Sequence, residues 1–199
     1  GTGSDSSEGS GDGVDGVNLS GADLRGTDLS KASLDKATMD YVTTDSGTNL
    51  EEASMADANL TGADLRGANL DAATLDGANM QGVTMDGTTS LSEASLKAVD
   101  LTQACLTNTD LSSQDFTESV MVETILIGAN LSAAKFKAVN LQRAKLNSDP
   151  TGRNQTCKCT PEGGPSLCNW TIVRSAVFQE TNLTDADLSW TDFRRVDLT

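Results

Sequence analysis

Residues 58–67 read Ala-Asn-Leu-Thr-Gly-Ala-Asp-Leu-Arg-Gly, which is two copies of one five-residue unit. A large apolar residue, mostly leucine, returns every fifth position along most of the 199-residue chain, with a small residue two positions before it. We call the large residue i and the small residue i−2; the Asp or Asn between them is i−1. A fixed short period is typical of a solenoid, in which each unit buries its apolar edge only against its neighbours.

The period of five decides the local structure. It fits neither an amphipathic helix, with a period of about 3.6, nor a simple alternating strand. A short strand followed by a corner does fit, because i and i−2 then share the inward side while i−1 points outward. Glycine is frequent two residues after i, as at Gly21, Gly26, Gly62 and Gly67, where a tight corner favours it.

The unit resembles that of the pentapeptide-repeat family, A(D/N)LXX, over residues 17–146 and 171–199. This resemblance implies an all-β fold, a right-handed quadrilateral parallel β-helix with four units per coil. We therefore expect a solenoid of about eight coils, counted from Leu19 with Thr44 in a large-residue position. The resemblance to exported cyanobacterial members of unknown function further implies the periplasm or the thylakoid lumen.

Threonine and phenylalanine provide an internal check on four units per coil. Threonine at i−2 gathers on the third face of the predicted coil, with two exceptions on other faces (Thr124 and Thr181). The third-face positions are Thr27, Thr48, Thr89, Thr109, Thr171 and Thr191. Phe116, Phe136 and Phe178 likewise fall on the fourth face of consecutive coils. The register is therefore predicted to hold from end to end.

Three interruptions all fall at the corner from the second face to the third. One extra residue lies between Thr44 and Leu50, one between Met85 and Leu91, and twenty-two between Leu146 and Val173. Corners tolerate insertions, whereas a slip within a strand would turn its core side outward. We therefore predict a flexible leader at 1–16 and one β-helix at 17–199, interrupted by an insertion loop at about 148–170.

The chain is strongly acidic, with a formal net charge of −15. Residues 1–100 contain eighteen acids and five bases, whereas residues 101–199 contain eleven and nine. Acids outside the i−1 positions, such as Asp35, Asp71 and Asp76, are predicted to form a solvated acidic skin. Such a surface disfavours nucleic acid and anionic membranes, and no apolar run is long enough to span a bilayer. We expect a monomer with no nucleic-acid partner and no membrane insertion.

The four cysteines allow two interpretations. Cys157, Cys159 and Cys168 lie in the insertion, and Cys105 lies at an outward i−1 position. A Cys-x-Cys pair could begin a zinc site, but the chain has no histidine and the spacing is not that of a zinc ribbon. An even number of cysteines favours disulfides and an oxidising compartment, hence export, with the cytoplasm as the alternative. We expect Cys168 to pair with Cys157 or Cys159.

Outward apolar residues mark a second feature of the same region. Outward positions should be polar, yet the sixth coil carries Val120, Val122, Ile125 and Ile127 there. Exposed apolar clusters normally mark a contact surface. We predict that the insertion folds back over Ile125 and Ile127, held by a disulfide from Cys105 to Cys157 or Cys159. The alternative is a disordered loop, a free Cys105 and an apolar patch open to a partner protein.

The sequence predicts no catalytic residues, no cofactor and no metal site. Without histidine there is no imidazole base, and the glycines follow the repeat instead of forming a phosphate-binding loop. We therefore expect a non-enzymatic structural or interaction module with an unknown protein partner. The resemblance offers an alternative, a DNA-mimicking inhibitor or protector of gyrase. The acidic N-terminal half fits that role, whereas a disulfide-bonded insertion does not fit a cytoplasmic target.

Overall fold

The computed structural model describes residues 16–146, 171, 173–188, 191 and 193–197. The described chain winds as a right-handed parallel β-helix, the hand that parallel strand connections favour. Two strands are long enough to be named, β1 (Thr84–Met85) and β2 (Cys105–Leu106), and they pair in parallel. The other described rungs join through isolated parallel bridges. This architecture confirms the fold predicted from the period of five.

Bridge spacing confirms four units per coil and the positions of the interruptions. Asn18 bridges Thr38, twenty positions later, whereas Asp28 bridges Asn49, twenty-one positions later. Asn69 and Ser90 are again twenty-one apart, and Lys135 bridges Val177 across forty-two positions. The extra residues therefore lie where the sequence places them, and the coils above and below the insertion stack in continuous register.

We number the faces from Leu19 (face one) and the coils in chain order, so that coil four spans 78–98 and coil five 99–118. On each face, residue i donates its N–H to the i−1 carbonyl of the next coil, as Leu24 does to Thr43 at 2.8 Å. The i−1 N–H returns a bond, as from Thr43 to the Ala22 carbonyl at 3.1 Å. Most strands of the inner coils pair on both sides, so very short strands form an extended structure.

The core consists of the i and i−2 side chains. From Val42 to Leu146 these side chains are buried, with Ala94 as the exception. Most inward threonines satisfy their hydroxyls within the stack: Thr48 and Thr89 donate to the carbonyls of Leu24 and Leu65, each at 2.9 Å. A buried hydroxyl needs such a partner, and the carbonyl of the preceding coil provides it.

Two other predictions about the core are confirmed, the place of Thr44 and the column of phenylalanines. Thr44 is buried in its large-residue position, and its hydroxyl donates to the Asp64 carbonyl at 3.0 Å. The fourth-face phenylalanines stack, with ring centroids 5.5 Å apart for Phe116 and Phe136 and 4.7 Å apart for Phe136 and Phe178. The stack fixes the alignment of three successive coils.

The last residue of the predicted leader at 1–16, Gly16, is the first residue that the structure describes. Gly16 lies so close to the next coil that an added Cβ would be 2.1 Å from the Lys36 carbonyl oxygen. Gly16 therefore lies against the backbone of Lys36, and its lack of a side chain permits this approach. Residues 1–15 and the predicted insertion at 148–170 lie outside the described residues.

Candidate interaction surface

The outward i−1 carboxylates and amides form the corners of the coil. The Asp23 carboxylate accepts the N–H of Arg25 at 3.2 Å, and the Asn59 side chain accepts that of Thr61, also at 3.2 Å. This is the Asx turn, which Asp and Asn adopt readily two residues before a bend. The acidic residues of the repeat therefore have a structural role, which accounts for much of the net charge of the chain.

Hydrogen bonding keeps several corner carboxylates ionised, both at i−1 positions and at Asp45, which follows Thr44. Hydrogen bonds from the Arg25 side chain and backbone hold the pKa of Asp23 well below its usual range. The backbone N–H of Ser30 lowers the pKa of Asp28, and those of Gly26 and Gly47 lower the pKa of Asp45. A carboxyl group with a lowered pKa is a poor general acid at neutral pH. These positions stabilise corners and are not suited to proton transfer.

The lowered pKa values predict a loss of stability in acid. Their folded values lie below the unfolded value of about 3.9, so this stabilisation is complete above pH ~4 and is lost as the pH falls below it. We expect a lower urea midpoint at pH 3 than at pH 7. Acid also relieves repulsion among the carboxylates, so the control is Asp23→Asn/Asp28→Asn/Asp45→Asn, whose amides keep the turns without titrating. An identical pH dependence in both proteins would contradict the prediction.

The predicted acidic skin needs a correction, because three of its members connect successive coils. The Asp35 carboxylate accepts the Ser54 hydroxyl at 2.5 Å and the Ala56 N–H at 2.9 Å, both from the next coil. Asp71 and Asp76 make the same pair of contacts further along the stack. These carboxylates therefore add side-chain links between coils, and solvation is not their only role.

The apolar cluster predicted on the sixth coil is only partly exposed. Val120 is 36% exposed, and Val122 and Ile125 are half-buried. Ile127 is only 2% exposed although its position in the unit points it away from the core. Its counterpart one coil below, Thr107, is also buried, at 7%. Of the four predicted patch residues, Val120 alone presents an open apolar surface.

Cys105 lies in the column that the register predicts. It bridges Ile125, and Ile125 bridges Lys145 on the next coil. Cys105 is 7% exposed and disulfide-bonded, and no cysteine in the described part of the chain is free. The other disulfide candidates, Cys157, Cys159 and Cys168, lie outside the described residues, so the pairing with Cys157 or Cys159 remains a prediction.

The ladder opens between coils four and five. Faces one and two are joined, face two through β1 and β2. By the same register Ser90 should bridge Asp110 on face three, and Ser95 should bridge Asp115 on face four. Neither bridge is present among the described residues. Two consecutive faces of this one interface are therefore unpaired.

Side chains connect the coils where the backbone does not. No described backbone carbonyl accepts the N–H of Leu91 or Leu96, although the equivalent residues elsewhere donate to the next coil. Instead, Gln114 donates its side-chain N–H to the Leu91 carbonyl at 2.7 Å, and Ser119 its hydroxyl to the Leu96 carbonyl at 3.2 Å. Gln114 is buried at an i−2 position, where most units carry Ala, Thr or Val. Its side chain reaches from coil five to coil four.

The separation leaves a groove of about 870 Å³ between residues 87–97 and 110–115. Its charged lining comprises Glu93, Lys97, Asp110 and Asp115. Ala94, an inward residue, lines this groove and is therefore half-buried, whereas the other inward residues nearby are buried. The neighbouring Thr109 hydroxyl is buried and has no hydrogen-bond partner among the described residues. The sequence does not predict this groove, but Gln114, the only long polar side chain at an i−2 position, is its signal.

Two further observations concern the described part of the chain. No group of three or more His, Cys, Asp or Glu side chains there is arranged to hold a metal ion. Within the same residues, no helix is long and apolar enough to cross a membrane.

Several solved structures are similar to this chain at low sequence identity. QnrB1, a plasmid-mediated fluoroquinolone resistance protein, is 16% identical, with 94% of this chain and 86% of that chain covered and a TM-score of 0.38. HetL, a protein involved in heterocyst differentiation regulation in the cyanobacterium Nostoc sp. strain PCC 7120, is 22% identical, with coverages of 94% and 89% and a TM-score of 0.26. A pentapeptide repeat protein of the Arabidopsis thaliana thylakoid lumen is 25% identical, with coverages of 64% and 70% and a TM-score of 0.21. No curated protein matches the sequence of this chain.

The family model for pentapeptide repeats matches this chain in eight copies. The matches cover residues 15–42, 53–89, 87–112, 94–132, 115–148 and 168–199. They include most of the chain and both sides of the insertion. With bridges twenty residues apart and inward pairs at i and i−2, sequence and structure agree: the chain belongs to the pentapeptide-repeat family.

Proposed function

We propose that this chain is a non-enzymatic structural and interaction module that acts after export, in an oxidising compartment such as the periplasm or the thylakoid lumen. The observation that carries the proposal is Cys105, which points away from the core, is buried and is disulfide-bonded. Disulfides persist in oxidising compartments and are rare in the cytoplasm. The absence of histidine from the whole sequence agrees with a role in binding.

In this proposal the insertion packs against the coil beside Cys105 and is the segment that the module presents to a partner. Thr107 and Ile127 are buried at the corner between faces two and three, the corner at which the insertion leaves the coil. A segment that returns along this corner would cover both residues and bring Cys157 or Cys159 to Cys105. Val120, on the adjacent face, would remain open to a protein partner.

Thiol chemistry on the full chain tests this proposal. Peptide mapping of the protein isolated from its own compartment, under non-reducing conditions, is expected to join the Cys105 peptide to one that contains Cys157 or Cys159. Reduction, or the variant Cys105→Ser, is expected to free the insertion to proteolysis while the β-helix keeps its cooperative transition. A Cys105 thiol that reacts with an alkylating agent before reduction would overturn the proposal, because it would indicate a reducing compartment.

The charge distribution favours a second candidate, a DNA-mimicking inhibitor or protector of gyrase. Eighteen of the twenty-nine acids lie in residues 1–100, and Asx turns hold several of them, such as Asp23 and Asp28, at the corners of the coil. Such a surface would present regularly spaced negative charge to a DNA-binding protein. A supercoiling assay separates the two candidates: inhibition of gyrase by the full chain at micromolar concentration would favour the mimic.

A further inference from the structure

We propose that the groove between coils four and five binds an extended, basic peptide segment, which adds a strand between the two open edges. This inference deepens the proposed interaction role and rests on it. It concerns a different surface from the Cys105 column, since the groove lies on faces three and four.

The unpaired backbone groups indicate a strand as the ligand. Coil four presents the N–H groups of Leu91 and Leu96, and coil five the carbonyls of Asp110 and Asp115 that would accept them in a closed ladder. Unpaired strand edges bind extended peptides by continuing the ladder. Here two parallel edges face each other, so an added strand would form backbone hydrogen bonds on both sides.

The geometry limits the shape of the peptide. The groove follows two faces and the corner between them, where Glu93 and Ser113 adopt the left-handed conformation, with φ of 59° and 62°. The peptide must therefore turn as the coils do, with a residue tolerant of that conformation at its own corner, which favours glycine. Leu91 and Phe116 remain buried on either side, so only small side chains can point inward. The structure thus favours Gly, Ala and Ser at the corner and inward positions.

The charges favour lysine or arginine at the outward positions. Asp115 already has ammonium groups nearby, from Lys135 at 3.6 Å and Lys97 at 3.9 Å. Glu93 and Asp110 have no such ion pair among the described residues. The net charge of −15 also attracts a basic partner over a longer range. It disfavours residues 1–15, which are rich in Gly and Ser but acidic, as the occupant.

Gln114 keeps the groove open. Its carboxamide bonds the Leu91 carbonyl at 2.7 Å and occupies the layer between the coils. Alanine, the common residue at i−2, would remove that spacer and allow the two edges to pair directly. The buried Thr109 hydroxyl of coil five has no hydrogen-bond partner among the described residues of this interface.

The test uses the full chain and the synthetic peptide Ser-Lys-Ala-Gly-Gly-Ser-Lys-Ala, blocked at both ends. In the free protein the amides of Leu91 and Leu96 are expected to exchange at least ten-fold faster than those of Leu101 and Leu106, which are paired to coil six. The peptide is expected to slow both by at least ten-fold. The matched control is the same peptide with N-methyl groups on both lysine amides, which keeps the charge but loses two strand donors and should bind at least ten-fold more weakly.

Gln114→Ala tests the spacer independently. Because it restores the common repeat residue, the variant is expected to fold, to protect both amides without peptide, and to bind the peptide at least ten-fold more weakly than the wild type. If it does not fold, the wild-type exchange data with the two peptides still decide the question.

Three results would overturn the proposal. The first is slow exchange of both amides in the free wild type, since the edges would then be closed. The second is equal binding of the N-methylated peptide, which would reduce the interaction to charge. The third is protection of the Leu91 and Leu96 amides in the free protein that disappears when residues 1–15 are removed. In that case the chain's own N-terminal segment would fill the groove. None of these results would contradict the proposed interaction role of the chain, which the thiol mapping and the supercoiling assay test separately.

Discussion

Leu131→Asp is expected to abolish cooperative folding of the chain. Leu131 is fully buried at an i position, and an aspartate there would place an unpaired charge in the core at a cost of several kcal/mol. A domain has only about 5 to 15 kcal/mol of stability, so a penalty of this size removes much or all of it. Circular dichroism during urea titration measures the effect, which should be the loss of a sigmoidal transition.

Ser132→Asp is the matched control for this substitution. It adds the same carboxylate one residue later, where the side chain is half-exposed at a corner. We expect its unfolding free energy to stay within about 0.5 kcal/mol of the wild type. Similar midpoints for the two variants would show that the inward and outward positions are wrongly assigned.

Phe136→Ala is expected to lower the unfolding free energy by about 3 to 5 kcal/mol. The ring is fully buried between Phe116 and Phe178, and it makes both stacking contacts of the column. Its removal leaves a cavity and eliminates two aromatic pairs, each of which contributes roughly 0.5 to 1.5 kcal/mol beyond area burial. Urea denaturation at constant pH measures the loss.

Phe136→Leu separates packing from stacking in the same column. Leucine fills most of the space, so the loss should be clearly smaller than for alanine, and what remains reports the stacking. A loss below about 1 kcal/mol for Phe136→Ala would contradict the stacked core, because coils that shift to refill the space cannot depend on this column for their alignment.

The number of residues per coil and the register can be predicted from the sequence because every unit must bury the same two positions. The inward pair at i and i−2 must face the core, so the residue count alone places the corners and the insertion. It also places Cys105, Ile125 and Lys145 in one column, as the bridges confirm. A solenoid has few alternative registers, since a one-residue slip exposes every core side chain.

Features that depend on contacts between particular coils are not visible in the period. The pattern assigns Ile127 to an outward position, but its burial depends on what lies beside the coil. The links from Asp35, Asp71 and Asp76 had a signal, a serine nineteen residues later in each case. The groove had one as well, in Gln114. The pattern states which way a side chain points but not how far apart two coils lie.

The opening between coils four and five also affects how the rod unfolds. In a linear array, cooperativity passes from each repeat to the next through their shared interface. Here one interface has lost ladder pairing on two of its four faces, so the coupling between the N-terminal and C-terminal stacks is weaker than that within either stack. The two stacks are therefore less strongly coupled to each other than the coils within either stack, and fraying that starts at one end is damped at this boundary.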